Sequence, residues 1–157
     1  MENQISHVKF LQSNARRYLA DMSKNEAQQV FDISWSVYAK VMSGNVEMLN
    51  LTTACRLAEM LGQGISELFI NTDYVDKYHS WYAETDAKYF AKNLLDCMTA
   101  AALSQNQLAR LAGIDRHLIN RCLKQQTTDS RGPLPRLATL QKLADALQVE
   151  VADLFLP

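Results

Sequence analysis

The stretch LSQNQLARLAGIDRHLINRCLK, residues 103–124, limits what this chain can fold into more than any other. Ser104 is a good helix N-cap, and Leu108, Leu111 and Ala112 after it recur on one helical face. Gly113 then permits a tight turn, and a second helix presents Leu118, Ile119, Cys122 and Leu123. Two short helices crossing at roughly 90 to 120° need small side chains where their backbones approach, and Ala109 and Gly113 supply them. The outward positions of the second helix are Asp115, Arg116, His117, Asn120, Arg121 and Lys124, nearly all of them hydrogen-bond donors.

Leu103, Ser104, Gln105, Leu108, Ala109, Gly113, Ile114, Ile119 and Arg121 resemble the helix-turn-helix core of the phage-repressor and Cro-like (xenobiotic-response-element type) regulators. Leu137, Leu140, Leu143, Ala144, Leu147 and then VEVADLF at 149–155 resemble the fourth helix and short fifth helix of that family. A dozen positions in register make the resemblance specific over residues 88–156. It implies a five-helix domain that binds double-stranded operator DNA, usually as a homodimer. Carried onto this sequence, the amides at the start of the first helix, with Ser104 and Gln105, face a phosphate, and Lys124 and Arg131 add positive charge. Base reading falls to Arg116, His117, Asn120 and Arg121, because arginine can pair two acceptors of guanine and asparagine can pair adenine. Leu118 either meets a thymine methyl or turns into the core.

Internal similarity extends the pattern to the first half. Residues 22–44 lie in register with residues 103–125 at an offset of 81, pairing Ser23 with Ser104 and Ile33 with Ile114. Further on, Leu51, Leu57, Ala58, Leu61, Ile65, Leu68 and Phe69 correspond at an offset of 86 to Leu137, Leu143, Ala144, Leu147, Val151, Leu154 and Phe155. The expected architecture is therefore all-α: two tandem five-helix repressor-like domains joined by an aromatic-rich helix. Residues 1–71 form the degenerate copy, 72–87 the connecting helix and 88–157 the DNA-binding copy.

Degeneracy appears where close packing is needed, with Gln28 and Asp32 standing where the second copy has Ala109 and Gly113. The outward set of the first copy is Ser34, Trp35, Ser36, Ala39, Lys40 and Ser43. Trp35 is assigned to a protein contact, with the neighbouring copy or a second chain, while a core position and a DNA contact stay open as alternatives. Helix one should run from Val8 to Ala20, with Arg16 and Arg17 on its polar side as either phosphate contacts or solvated charge.

Net charge is −1, but residues 88–157 carry nine Lys/Arg against six Asp/Glu, so positive potential gathers in the half with the clear motif. Residues 72–87 contain no proline or glycine. There Tyr74, Tyr78, Trp81 and Tyr82 share one helical face that must be buried, against the two copies or against a partner chain. The loop after the second motif helix is stopped by Gly132, Pro133 and Pro135.

Three cysteines without CxxC spacing read as reduced, buried thiols rather than a disulfide framework or a metal site. With 48% hydrophobic residues a packed core is available. The N-terminus has no signal-peptide pattern and no apolar run is long enough to span a membrane, so a soluble cytoplasmic protein is expected. Catalytic spacings such as HExxH or a phosphate-binding glycine loop are missing, so neither an enzyme nor a cofactor is expected. Transcriptional regulation, more specifically repression, is the leading function, with a protein regulator as a possible further partner. The alternative is a non-enzymatic inhibitor or antirepressor that uses the same fold to bind protein.

Overall fold

Hydrogen-bonding side chains at helix starts divide the chain. In the computed structural model, which describes residues 6–19, 22–31, 34–70, 85–124 and 135–157, Ser23 Oγ accepts from Glu26 N–H at 3.2 Å while Glu26 Oε2 accepts from Ser23 N–H at 2.8 Å. Ser104 and Gln107 make the same reciprocal pair, at 3.2 and 2.8 Å. Each box satisfies two amide donors that a helix start leaves free. At the next helix start Ser34 Oγ accepts from Val37 N–H, and Asp115 Oδ1 accepts from His117 N–H.

These caps begin four of the helices. The first half comprises α1 (His7–Leu19), α2 (Lys24–Phe31), α3 (Trp35–Ser43), the 3-10 turn η1 (Val46–Met48), α4 (Leu51–Met60) and η2 (Ile65–Phe69). The second comprises η3 (Ala87–Tyr89), α5 (Phe90–Ala100), α6 (Gln105–Ala112), α7 (Arg116–Lys124), α8 (Leu137–Leu147) and η4 (Val151–Phe155). Among the described residues there is no strand, and no helix is long and apolar enough to cross a membrane.

An asparagine, buried in the first half and half-buried in the second, fastens the first helix of each half to its last turn. Asn14 Nδ2 donates toward the carbonyls of Glu67, Leu68 and Ile70 at 3.1, 3.1 and 3.2 Å. Asn93 Nδ2 donates to Leu154 and Leu156 at 3.1 and 2.7 Å. A short turn ending inside the fold has carbonyls without helical partners, and one amide group serves several of them.

The halves share one apolar cluster, running from Val8 in α1 to Phe155 in η4. At its centre the Phe155 ring stacks on Phe69 and on Phe90, with both centroid distances 5.9 Å. Ser66 Oγ–H donates to Ala152 O at 2.6 Å. Between the starts of α4 and α8, Leu51 N–H donates to Pro135 O at 2.9 Å and Leu137 N–H to Leu49 O at 2.8 Å, an antiparallel bridge of Asn50 with Arg136. Shifting Leu51 forward by 86 gives Leu137 and shifting Pro135 back by 86 gives Leu49, so the second bond is the first with the halves exchanged, and the same shift turns Ser66 into 152 and Phe69 into 155. Positions that the sequence pairs at an offset of 86 therefore touch each other.

Several expectations from the sequence need adjusting. Residue spacing puts the first helix of the second half from Asp86 or Ala87 to Ala102; it begins as the 3-10 turn η3 and ends at Ala100, because Ala102 takes the left-handed conformation (φ 55°) and Leu103 N–H returns to Met98 O. Arg16 is half-buried and donates to the Met42 carbonyl in the last turn of α3, so it closes a helix end and is not a free cation. The aromatic stripe Tyr74, Tyr78, Trp81 and Tyr82 lies outside the described residues. Where the chain re-enters, Thr85 Oγ1 accepts from Ser66 N–H and Asp86 N–H donates to Phe155 O, so the connection is pinned at the joint between the halves.

A shared core makes unfolding a joint event. Phe155→Ala is expected to cost about 3–5 kcal/mol and to move one common transition in urea, read by circular dichroism and by tryptophan fluorescence alike. Ala102→Gly removes a left-handed penalty of about 1 kcal/mol and should raise the melting temperature.

Candidate nucleic-acid interface

The turn between α6 and α7 forms as its residues require. Gly113 sits at φ 67°, where a side chain is disfavoured, and its N–H and that of Ile114 both return to Ala109 O. Inward, Leu108, Ala109, Ile119 and Cys122 are buried, joining this pair of helices to α5 and α8. Outward, Arg116, His117 and Arg121 are exposed on α7, with Asn120 and Leu118 half-buried beside them. At i, i+1, i+4 and i+5, the four sequence-predicted base readers thus share one side of a nine-residue helix.

The predicted phosphate contacts are less uniform. Ser104 is exposed at the start of α6 with its Oγ engaged in the capping box, and Gln105 is half-buried next to it. Lys124 is exposed in the last turn of α7, where a cation also complements the helix dipole. Arg131 falls outside the described residues. Arg110, exposed in the last turn of α6, is a further cation on this unit that residue spacing alone did not single out.

Leu111 departs from the expected apolar face. It is 63% exposed, although it lies three residues after a fully buried leucine. The inward stripe of α6 is narrow because a helix of eight residues meets its neighbours on one side only.

The corresponding face of α3 has a different chemistry. Trp35 is 52% exposed and stacks on Tyr38 with centroids 5.9 Å apart and planes at 23°. Above the indole lies Lys24 Nζ, 3.3 Å from the ring centroid, a cation–π contact that links the start of α2 to the start of α3. Ser34, Ser36 and Ser43 are exposed, while Ala39 and Lys40 are half-buried. Trp35 is therefore not a core residue; Lys24 lies over its ring, and the exposed Ser34 and Ser36 flank it in sequence.

Nothing at the thiols favours nucleophilic chemistry. Burial pushes Cys122 up to about 11 despite the nearby Arg121. Burial, and then the Asp86 carboxylate, push Cys55 up to about 12 where it lines a cleft of about 420 Å³ with Glu59 and Gln63. Cys97 is also raised, by burial and then by Asp153 and Asp96.

A helix-turn-helix unit that displays arginines on its outer helix has the form and charge of the duplex-reading motifs. The comparison with known families is specific for that half: residues 93–156 match the Cro/C1-type HTH DNA-binding domain. The match starts and stops at the two residues joined by the Asn93 to Leu156 hydrogen bond, so it coincides with a structural unit. A Cro/C1-type DNA-binding domain thus occupies the second half. Neither the curated proteins nor the solved structures contain a match to the chain.

The thiols provide a check on this packing. Iodoacetamide near neutral pH should label Cys55 and Cys122 at least about tenfold more slowly in the folded chain than in urea, since the thiolate is the reactive form.

Proposed function

We propose that the protein is a sequence-specific regulator of transcription, a repressor, that reads the major groove of an operator with α7 and performs no catalysis. The observation that carries this reading is the two-sidedness of α7: Ile119 and Cys122 are buried behind it while Arg116, His117 and Arg121 stand exposed in front. Such a helix presents both fork-shaped donors for guanine and charge for phosphates. The reading draws further support from the positive balance of residues 88–157, which favours encounter with a polyanion.

We further propose that the first half is a second copy of the same fold. Its support is a set of matched interactions: capping boxes at Ser23 and Ser104, helix starts at Ser34 and Asp115, and asparagine clamps at Asn14 and Asn93. Two reading helices on one duplex raise affinity well above what one module reaches. A homodimer supplies them, and so do the two halves of a single chain.

On a site selected from random duplexes, Arg121→Ala should weaken binding about ten- to a hundredfold, the worth of one bidentate base contact, and relax preference at the base it touches. Binding of the unaltered chain should fall by about a hundredfold between 50 and 200 mM salt if about four phosphates are neutralised. An inhibitor that acts on protein instead would select no duplex sequence at any salt concentration.

A further inference from the structure

We propose that one chain is a complete two-site reader: its halves form an internal two-fold pair, so that α3 and α7 address two different half-sites of one asymmetric operator. The proposal rests on the DNA-binding, two-copy reading above, and it puts an internal pair in place of the homodimer expected from the sequence.

The argument starts at the joint. Reciprocal contacts between two copies, in which a residue of the first meets a residue of the second and their equivalents meet in return, mark a two-fold axis between them, and residues lying on that axis meet their own equivalents. The bonds around Asn50 and Arg136 are reciprocal in this way, and the Ser66 to Ala152 bond and the Phe69–Phe155 stack each join a residue to its own equivalent, as positions on such an axis do. A two-fold rotation keeps every height along its axis. Whatever level α7 occupies on that axis, α3 occupies the same level on the opposite side, which is the arrangement that lets two reading helices meet one face of a duplex.

The surface used for this pairing is unavailable to a second chain. Ile65, Ser66, Leu68, Phe69, Val151 and Phe155 are each at most 3% exposed, covered by the other half or by their own. A pairing of this kind between separate chains would need two identical halves and would give a palindromic site. Here the halves differ, and so must the half-sites.

The difference can be read from the side chains. On α7, arginines at 116 and 121 and the asparagine at 120 suit the acceptors of guanine and adenine. On α3, Trp35 occupies the position equivalent to Arg116, backed by Tyr38 and flanked by Ser34, Ser36 and Lys40. An exposed indole edge has no acceptor-pairing fork, but it offers apolar surface to thymine methyl groups, while Lys24 beside it and Lys40 one turn on supply charge for the backbone. The second half-site is accordingly rich in thymine.

The test uses the full chain on the site it selects from random duplexes, with native mass and footprinting as readouts. One chain per duplex, protection of two successive major-groove faces and two dissimilar half-sites are expected. Trp35→Ala should then relax preference in the thymine-rich half only, with a loss of about three- to thirtyfold, while Arg121→Ala relaxes the other half only. Lys24→Ala, at an exposed side chain, should lower the salt slope by about one. Two chains on a palindrome, or one chain protecting a single groove with Trp35→Ala silent at every position, would overturn the internal pair and leave DNA binding by α7 intact. Failure to select any sequence would overturn both readings together.

Discussion

The joint between η2 and η4 is what the rest of the structure depends on. Phe69 and Phe155 come from short turns at the ends of their halves, and neither turn has enough residues to bury an aromatic ring alone. Both rings are fully enclosed, and each stacks on the other across the joint. Burying such a ring contributes about 1.5–3 kcal/mol relative to leaving it in water, enough for the pairing to matter in a domain of ordinary stability. The polar part of the joint is equally committed, since Ser66 and the amides of Leu51 and Leu137 would otherwise carry unmet hydrogen-bonding groups into the interior.

This joint has consequences at a distance. It sets α4 and α8 start to start, and through them it places the helix pairs α2–α3 and α6–α7 that ride on the same core. The reading helices themselves contribute little to that core beyond Val41 on one side and Ile119 and Cys122 on the other. Stability and recognition are thereby carried by different residues, so the exposed faces of α3 and α7 are free to differ while the fold beneath them stays the same.

Most of the second helix-turn-helix unit was legible in the sequence because its signals are local. Ser104 with Gln107, and Gly113 at positive φ, act through bonds made within a few residues, so their roles follow from identity and spacing. The asparagine clamps were not legible. Asn14 and Asn93 meet carbonyls 53 to 63 residues away, and an amide in a helix has no periodic signature. Ala102 and Leu111 misled for a related reason: one adopts a conformation ordinarily reserved for glycine, and the other keeps helical spacing on a side that stays exposed. Arg16, read as a phosphate contact or solvated charge, closes the end of a helix that lies beside it only in three dimensions.

By itself the sequence determined the helices, their caps, the turn at Gly113 and which side of α7 carries the arginines, because each of these depends on neighbours within about two helical turns. Only the tertiary structure decided that the two halves close on each other, that equivalent residues meet across that closure, and that Trp35 is left facing outward. Those outcomes depend on which apolar surfaces find each other first partners and which are left over, and burial of that kind is a property of the whole packed chain, not of any stretch within it.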